Sequence, residues 1–280
     1  MGWHFSADKH QHPDFKTKKQ APRGPVVLDV DHPLYSALDE LYLPINDRMI
    51  GLKSNEFAAT TGAVPGIDDI GRHIDRDDAD AIDAGLAPHV NTDGYNLSVV
   101  QYYSTTDSNH SIVARRDGAS GTPQWQFAVF TTGNAIEWRI GSTITNIVSG
   151  SIPGKWYDGK PHVVGLSVDG STGYLYRDGI DEGSASVSGT AGSTDINIGI
   201  GNRWQSYPTT GFGMNDGQIY LTMFFNRALT DFEQKSLSDD PFQLLKPAVP
   251  LQWYLASAAS GANPKGPLGM PIRGPFGGPI

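Results

Sequence analysis

A two-residue alternation of apolar and polar side chains, interrupted by glycine-rich turns, constrains the fold of this chain more than any other feature. In HVVGLSVDGSTGYLYRDG, the residues Val164, Leu166 and Val168 fall on one face of a predicted strand, and DGSTG forms a turn. The return strand passes through Tyr174 and ends at the turn signal Asp178-Gly179. The pattern predicts an antiparallel hairpin with one buried face.

A second hairpin is predicted in QWQFAVFTTGNAIEWRI. Phe127 and Val129 alternate before the TTGN turn, and Ile136, Trp138 and Ile140 alternate after it. Short antiparallel strands of this kind, without helices alternating between them, are typical of a β-sandwich or barrel. The fold class predicted from the sequence is therefore all-β.

Composition divides the 280 residues into three zones. Residues 33–255 carry the strand patterns and are long enough for one β domain of about 200 residues. Residues 1–32 form a predicted extended N-terminal arm, which is polar, interrupted by prolines and locally basic. Residues 256–280 form a predicted extended tail rich in proline and glycine.

Neither terminal zone shows a sustained period of 2 or 3.6 residues, so neither can bury a face of its own. Each is therefore either a flexible end or a segment that becomes ordered on a partner surface. In the second case, large apolar side chains would be the anchors. These candidates are Trp3, Phe5, Phe15, Leu268, Met270 and Phe276.

One short helix interrupts the strand patterns. In FFNRALTDFEQKSL, Thr230 is a suitable N-cap, and Glu233 three residues later completes a capping box. The pattern predicts a helix over Thr230–Leu237. Two turns are too short to be stable alone, so we expect Phe232 and Leu237 to dock against the sandwich.

The strand before this helix, the helix and its exit, DGQIYLTMFFNRALTDFEQKSLSDDPFQLL, resemble the closing signature of concanavalin A-like, laminin G-type domains. GKWYDGKPHVVGLSVDGSTGYLYRDGI resembles a hairpin of the same family, with Trp156, His162, Tyr176 and Asp178 in place. IDRDDADAIDAG is similar to its early Asp-rich strand pair. The resemblance covers roughly residues 32–247. It implies a two-sheet antiparallel jelly roll of about a dozen strands, with the helix as a structural closure.

HPLYSALDELYLPIN resembles the opening segment of such domains encoded by bacteriophages, which implies a virion protein. A net charge of −9 argues against a general nucleic-acid-binding surface. No apolar run reaches the length of a membrane helix, and no secretory signal follows Met1. We therefore expect a protein that is made in the host cytoplasm and located in the virion.

Catalytic carboxylates are the first chemistry to consider, because some relatives on this fold are glycoside hydrolases. Those enzymes need two carboxylates across the scissile bond, and their usual Glu-x-Asp-x-x-Glu spacing does not occur in this chain. Glu137, on a predicted strand, is the one plausible candidate and stands alone. The sequence predicts no enzymatic activity.

An acidic stretch could supply oxygen ligands for Ca²⁺ through Asp77, Asp78 and Asp80. Its spacing does not fit an EF-hand, and at the position where laminin G-type relatives often hold an acidic calcium ligand this chain has Tyr220. A solvated acidic loop is the favoured interpretation, so no cofactor is predicted. His162 is expected to be a hydrogen-bonded partner within the sandwich.

Sugar binding is a common theme of the resembled family, and one loop has the composition for it. NRWQSYPTTGFGMND places aromatic rings among Asn, Asp and Gly; the candidate residues are Trp204, Tyr207, Phe212, Asn215 and Asp216. Such rings can anchor a sugar or a protein surface. The alternative is that Trp204 caps the core between strands.

The favoured function is a non-enzymatic bacteriophage structural protein that decorates or cements the capsid through its extended termini. Its expected partners are other virion proteins, either the major capsid protein or neighbouring copies, within a multi-subunit assembly. The alternative is a carbohydrate-binding adhesin of a phage tail or head fibre, with host-surface glycans as ligands. A glycosidase or lyase is the third hypothesis.

Overall fold

The computed structural model describes residues 19–22, 25–45, 48–61, 64–76, 81–84, 95–116, 123–130, 135–140, 143–149, 156–190, 197–201 and 217–248. Within them lie eighteen strands and one helix, α1 (Asp231–Asp239). The strands are β1 (Val26–Leu28), β2 (Leu38–Ile45), β3 (Arg48–Gly51), β4 (Phe57–Thr61), β5 (Val64–Ile67), β6 (Arg72–Arg76), β7 (Ala81–Asp83), β8 (Leu97–Thr105), β9 (Asn109–Arg116), β10 (Pro123–Phe130), β11 (Ala135–Ile140), β12 (Thr143–Ser149), β13 (His162–Asp169), β14 (Thr172–Arg177), β15 (Ile180–Ser186), β16 (Ile198–Ile200), β17 (Gly217–Phe225) and β18 (Leu245–Pro247).

The strands form two large antiparallel sheets and one small one. Sheet I has the order β3-β2-β17-β8-β13-β14-β15, and β6 pairs with the start of β17 and with β5. Sheet II has the order β7-β16-β9-β10-β11-β12. Strand β4 pairs with both β3 and β7 and joins the two sheets along one edge. The predicted all-β, antiparallel sandwich is confirmed, with more and shorter strands than the dozen expected.

The main core lies between the two sheets. The indole rings of Trp125 on β10 and Trp138 on β11 stack there with centroids 5.5 Å apart. Val164, Leu166 and Val168 of β13 are fully buried in the same cluster, as their alternation predicts. This apolar layer fixes which face of each strand points outward and so sets the position of every polar group discussed below.

A second apolar cluster covers the outer face of sheet I. It contains Val163 from β13, Leu237 from α1 and Phe242 from the segment after the helix. Burying a side chain such as Leu237 contributes about 1.5–3 kcal/mol. The helix is therefore held on the sheet as a structural closure, as the sequence predicts.

The helix begins at the expected residue but docks differently. The Thr230 hydroxyl accepts from the Glu233 N–H, and the Glu233 carboxylate accepts from the Thr230 N–H, so the capping box is present. The expectation that Phe232 docks is wrong, because its side chain is 81% exposed. The residues on the sheet are Gln234, Leu237 and Ser238, and a stripe at this spacing leaves Phe232 on the opposite side of the helix.

The boundary of the N-terminal arm at residue 32 requires correction. Strand β1 pairs with β18 in the register Val26↔Pro247 to Leu28↔Leu245, so residues 25–32 belong to the folded domain. Earlier in the chain, the Ala21 N–H donates to the Ile70 carbonyl at 2.7 Å. No local period reveals these contacts, because β18 lies more than 200 residues after β1 and Ile70 lies 49 residues after Ala21. Residues 1–18 and 249–280 lie outside the described residues.

Among the described residues, no helix combines the length and the apolar character that crossing a bilayer requires.

Candidate functional site: a polar groove at one end of sheet I

One end of sheet I opens into a groove of about 270 Å³, here called the end groove. It forms where three adjacent strands meet: Gly217 at the start of β17 lies opposite Arg76 at the end of β6 and Thr105 at the end of β8. The groove is lined by Asp75, Arg76, Ser104, Thr105, Thr106, Gly159, Gly217 and Gln218. Strand ends therefore supply most of a polar cavity.

Gly159 closes one wall of the end groove. Its N–H donates to the Thr105 carbonyl at 3.0 Å, which ties the loop after Trp156 to the end of β8. Its φ is +76°, and a Cβ at this position would lie 3.3 Å from Thr106 Cγ2. Both the backbone conformation and the close approach favour glycine here.

The Gln218 side chain is held in place by its neighbours. Its Oε1 accepts from the Ser104 hydroxyl at 3.0 Å and lies 2.9 Å from the Tyr220 hydroxyl. The Tyr220 hydroxyl also lies 2.7 Å from Asp68 Oδ2 and donates to that carboxylate. An amide with a fixed orientation can both donate to and accept from a ligand hydroxyl group.

His73 lies beneath this network with only 4% of its side chain exposed. Its Nε2 is 3.2 Å from Asp75 Oδ1, and its Nδ1 is 3.5 Å from Asp68 Oδ2. Its ring packs edge-on against Tyr220 with centroids 5.6 Å apart. Gly66 provides the necessary space, since a Cβ there would lie 2.1 Å from His73 Nε2. The His73 ring thus lies between the two carboxylates.

Tyr220 is a hydrogen-bond donor at every ordinary pH. Burial, followed by the hydrogen bond to Asp68, raises the pKa of its hydroxyl well above the usual range. The ring centroids of Tyr102 and Tyr220 are 4.9 Å apart, and burial also raises the pKa of the Tyr102 hydroxyl. Two protonated phenols therefore form the boundary between the apolar cluster and the polar groove.

A second polar cluster holds the loop that carries Gly159. His162 at the start of β13 bonds to Asp178 through Nδ1 at 2.6 Å and to Asp158 through Nε2 at 3.0 Å. This confirms the prediction that His162 is a hydrogen-bonded partner within the sandwich. The hydrogen bond to Asp178 raises the pKa of His162 despite the opposing effect of burial. A charged imidazole between two carboxylates fixes the loop to the sheet.

A third polar group, His110, lies in the interior on the same side of the sandwich. Burial lowers the pKa of His110 to about 4, so the ring is neutral at neutral pH. Its Nδ1 is 2.8 Å from the Asp107 carbonyl, which can only accept, so Nδ1 carries the proton. Its Nε2 then accepts from the Tyr103 hydroxyl at 3.1 Å. The clusters around His162 and His110 are therefore structural supports.

The residues predicted to bind a ligand lie outside the part of the chain that the structure describes. They are Trp204, Tyr207, Phe212, Asn215 and Asp216 in the aromatic loop, Asp77, Asp78 and Asp80 in the acidic stretch, and Trp3, Phe5, Phe15, Leu268, Met270 and Phe276 in the two termini. Two of these segments adjoin the end groove in sequence. Gly217 directly follows Asp216, and Arg76 directly precedes Asp77.

Sequence reasoning missed the residues that form the end groove. Asp68 and Asp75 lie just before Asp77, Asp78 and Asp80, in an acidic stretch for which a solvated loop is the favoured interpretation. Tyr220 was considered only as a residue unable to replace a carboxylate. No sequence pattern joins these positions to Gln218, because the contacts cross about 150 residues of chain, as in the Asp68–Tyr220 hydrogen bond.

Glu137, the candidate carboxylate of a hydrolase, is buried on β11. Its Oε2 accepts from Arg139 Nε at 2.8 Å. Its cross-strand neighbours are Ala128 on β10 and Asn146 on β12, neither of which is acidic. Within the described residues, the groups around Glu137 thus form an ion pair on sheet II.

The described residues contain no candidate metal-binding site. No group of three or more His, Cys, Asp or Glu side chains there is arranged to hold a metal ion. His73 with Asp68 and Asp75 comes nearest in composition. Its two carboxylates contact different ring nitrogens, Nδ1 and Nε2, on opposite sides of the imidazole, so the three groups do not converge on one point.

Comparison with known families gives one match. A profile described as the concanavalin A-like lectin/glucanases superfamily, of the laminin G type, matches residues 77–233, more than half of the chain. A search of curated protein sequences gives no significant match.

Comparison with solved structures finds the same sandwich in several proteins. Domain 4 of AbnA, an extracellular arabinanase from Geobacillus stearothermophilus in complex with arabinotriose, has a TM-score of 0.53 and 15% identity, covering 72% of this chain and 98% of that domain. Trypanosoma rangeli sialidase in complex with sialic acid has a TM-score of 0.52 and 14% identity, covering 75% of this chain. The chain spans about a third of the length of such sialidases, 34% in this case.

A third similar structure is the binding domain of Paraclostridial Mosquitocidal Protein 1. Its TM-score is 0.53 at 11% identity, and the alignment covers 74% of this chain and 53% of that domain. At such low identities these likenesses show a shared fold.

Proposed function

The chain belongs to the concanavalin A-like lectin/glucanase superfamily, and from this premise we propose that it is a non-enzymatic carbohydrate-binding protein whose glycan ligand binds in the end groove. The observation that carries the proposal is the fixed Gln218 amide beside the half-exposed Asp75 carboxylate. Sugar hydroxyl groups need donors and acceptors together, and these two side chains supply both. The fixed orientation also reduces the entropy lost on binding.

The composition of the groove favours a polar ligand over an apolar one. Its lining includes one carboxylate, one guanidinium, one amide and three hydroxyl groups. A volume of about 270 Å³ suits one or two sugar rings of a longer glycan that continues over the surface. The arabinotriose complex of AbnA domain 4, which the alignment covers almost completely, is consistent with a saccharide on this fold.

The test is a glycan array probed with the full chain, followed by titration of any glycan that binds. Asp75→Asn and Gln218→Ala are expected to weaken binding about 10-fold or more, because each removes hydrogen bonds to the ligand. Asp239→Asn, on α1 away from the groove, is the matched control and should bind like the wild type. An array without signal, or equal affinities of Asp75→Asn and Asp239→Asn, would overturn the proposal.

The absence of catalysis is part of the proposal. The buried Glu137 is neutralised by Arg139, and its cross-strand neighbours offer no second carboxylate. Two carboxylates about 5–10 Å apart are needed for glycoside hydrolysis. Incubation with polysaccharides should release no reducing ends. A release that disappears in Glu137→Gln would contradict this part of the proposal.

A second role, attachment to a bacteriophage particle as a capsid decoration or cement protein, is favoured by the pairing of β1 with β18. Because these strands are antiparallel neighbours, Val26 lies opposite Pro247, and the Ala248 N–H donates to the Pro25 carbonyl at 2.9 Å. The segments next to both termini are thus held on the domain, and the residues beyond them are available to bind a neighbouring surface. The phage-like segment HPLYSALDELYLPIN supports this role.

The attachment role is tested on intact particles. Cross-linking followed by mass spectrometry should join residues 1–18 or 249–280 to the major capsid protein or to neighbouring copies. Virion proteomes that lack the protein, or particles in which only residues of the sandwich are cross-linked, would argue against attachment through the termini. This result is independent of the glycan array.

A further inference from the structure

A second groove of about 500 Å³ lies beside α1, at the end of sheet I opposite the end groove. We call it the helix groove. It is lined by Asp169, Tyr174, Tyr176, Ala228, Leu229, Thr230, Asp231 and Phe232. The two grooves are separated by the length of β8, about 27 Å at 3.3 Å per residue. The two grooves have no lining residue in common.

Phe232 gives the helix groove an unusual surface. At 81% exposure it is the most exposed large hydrophobic side chain among the described residues. It lies in the first turn of a helix whose capping box is complete, so its backbone is held in place. Tyr174, half-buried on β14, contributes a second ring to the same groove. Rings held on rigid elements are typical of binding surfaces.

Negative charge accompanies the aromatic rings. The exposed carboxylates of Asp169 and Asp231 both line the groove, and Asp231 Oδ1 accepts from the Tyr176 hydroxyl at 2.5 Å. None of the eight lining residues is basic. Three basic side chains nearby in the sequence pair with other acids: Arg177 with Glu182, Arg227 with Glu233 and Lys235 with Asp239.

Aromatic faces combined with carboxylates form the chemistry that binds a lysine or arginine side chain. The negative face of a ring attracts a cation, and the carboxylates add charge-assisted hydrogen bonds. Residues 1–18 of this chain contain Lys9, Lys16 and Lys18 together with the aromatic residues Trp3, Phe5 and Phe15. With Asp8 and Asp14 its net charge is +1, and its lysine side chains and aromatic rings complement the carboxylates and rings of the helix groove.

The position at which residues 1–18 join the described chain also lies close to the helix groove. Lys19 Nζ lies 3.9 Å from Asp178 Oδ1, just after the last residue of β14. Tyr174 lies four residues earlier, about 13 Å away along the strand. Eighteen residues can span up to about 60 Å when extended. The segment is thus long enough to reach the helix groove of its own copy or of an adjacent one.

We propose that the helix groove is the docking site of the N-terminal segment, residues 1–18, and that it binds a lysine side chain of this segment between Phe232, Tyr174 and Asp169. This inference does not depend on the glycan proposal, since it concerns the opposite end of the sheet. It assigns a function to the exposed ring of Phe232 and to the lysine side chains of the segment.

The experiment is carbodiimide cross-linking of the full chain followed by mass spectrometry, which joins lysine amines to nearby carboxylates. Links from Lys9, Lys16 or Lys18 to Asp169 or Asp231 are expected. The link between Lys19 and Asp178 is the internal standard, because those groups are already in contact. Mixing ¹⁴N- and ¹⁵N-labelled chains tells whether the segment binds its own copy or another.

Matched variants test whether the helix groove is the site from which these cross-links arise. Phe232→Ala should lower the yield of the Asp169 links about 2- to 5-fold relative to the internal standard, in line with an exposed cation–π contact. Phe57→Ala removes another exposed ring, 57% accessible on β4, and should leave the yield unchanged. The yield should also fall with added salt, because the groups are exposed.

Three results would overturn the proposal. The first is the absence of any link from residues 1–18 to Asp169 or Asp231 while the Lys19–Asp178 link forms. The others are equal cross-linking yields in Phe232→Ala and Phe57→Ala, and binding of a neutral oligosaccharide in the helix groove with unchanged cross-linking. None of these results affects the end groove, so failure here and failure of the glycan proposal are distinguishable.

Discussion

The Gln234 amide of α1 donates a 2.9 Å hydrogen bond to the Ser167 hydroxyl of β13, and this buried contact fixes the helix on sheet I. The Ser167 hydroxyl in turn donates to the Leu229 carbonyl at 3.0 Å. The Leu229 N–H donates to the Ser98 hydroxyl at 2.8 Å. The turn before the helix is therefore held by two adjacent strands, which is how a nine-residue helix keeps one position.

Gly165→Ala is expected to destabilise the protein by about 1–3 kcal/mol. An added Cβ would lie 2.0 Å from Gln234 Oε1, and Gln234 is buried, so its side chain has little space to move aside. Chemical denaturation measures the change in the free energy of unfolding. The double variant Gly165→Ala with Gln234→Ala should recover much of the loss; no recovery would show that the helix contact is not the cause.

Glu233→Gln is expected to cost about 1 kcal/mol at neutral pH, because glutamine can keep the capping-box contacts but loses the charged pair with Arg227. The side-chain hydrogen bond from Arg227 lowers the pKa of Glu233 to about 2, so the charged form stabilises the folded state. This stability is present above the unfolded pKa of 4.5 and is lost as the pH falls towards 2.

Unfolding free energies of Glu233→Gln and the wild type should therefore converge in acid. Arg227 is 42% exposed, so solvent screening limits the loss of unfolding free energy to about 1 kcal/mol. Asp239→Asn, which removes an exposed pair with Lys235, is the control and should have little effect. A constant difference between Glu233→Gln and the wild type at every pH would contradict the assignment.

His162→Gln is expected to remove a pH-dependent part of the stability. The Asp178 hydrogen bond raises the folded pKa of His162 above its ordinary value of 6.5. Its contribution is therefore complete below 6.5 and is lost as the pH rises through the raised folded value. Burial acts to raise the pKa of Asp178, but the hydrogen bonds from His162 and the Val163 N–H outweigh it and lower that pKa.

NMR titration of the His162 imidazole checks the direction of the shift. Unfolding free energies of the wild type and His162→Gln should differ most between about pH 4 and pH 6.5, where the histidine is charged and Asp178 is ionised. The two curves should approach each other in more alkaline solution. Parallel curves, or a titration midpoint below 6.5, would refute the prediction.

Local patterns predicted the fold because the relevant interactions are local. The hairpin of β13 and β14 needs only the alternation around Val164 to Val168 and the turn before Thr172, which lie within a few residues of each other. The capping box of Thr230 and Glu233 is likewise a contact over three residues. The orientation of Phe232 was not predictable in this way, because it depends on which side of the helix meets sheet I.

The end groove could not be predicted for the same physical reason. Gln218 contacts Ser104 across 114 residues, and Tyr220 contacts Asp68 across 152. Only the pairing of β17 with β6 and β8 brings these side chains together. The same holds for β1, whose partner strand β18 begins at Leu245.

Tyr220→Phe is expected to destabilise the protein by about 1 kcal/mol and to weaken glycan binding. The change removes the donor to Asp68 and the hydroxyl group that lies 2.9 Å from Gln218 Oε1, so the surroundings that orient the amide are altered. Asp68→Asn keeps an acceptor oxygen for Tyr220 and should cost less. Unchanged glycan affinity in a folded Tyr220→Phe protein would mean that the orientation of Gln218 does not matter.

Removal of divalent cations is expected to leave both stability and glycan binding unchanged. Calcium usually takes six to eight oxygen ligands, and the lining of the end groove offers Asp75 as its one carboxylate. The sequence-based candidates Asp77, Asp78 and Asp80 follow directly after this groove, so they are the residues that a calcium effect would implicate. The thermal midpoint should be the same with millimolar CaCl₂ and with EDTA. A rise with calcium that disappears in Asp78→Asn would instead place a metal site beside the groove, since a ligand that binds only the folded state stabilises it by mass action.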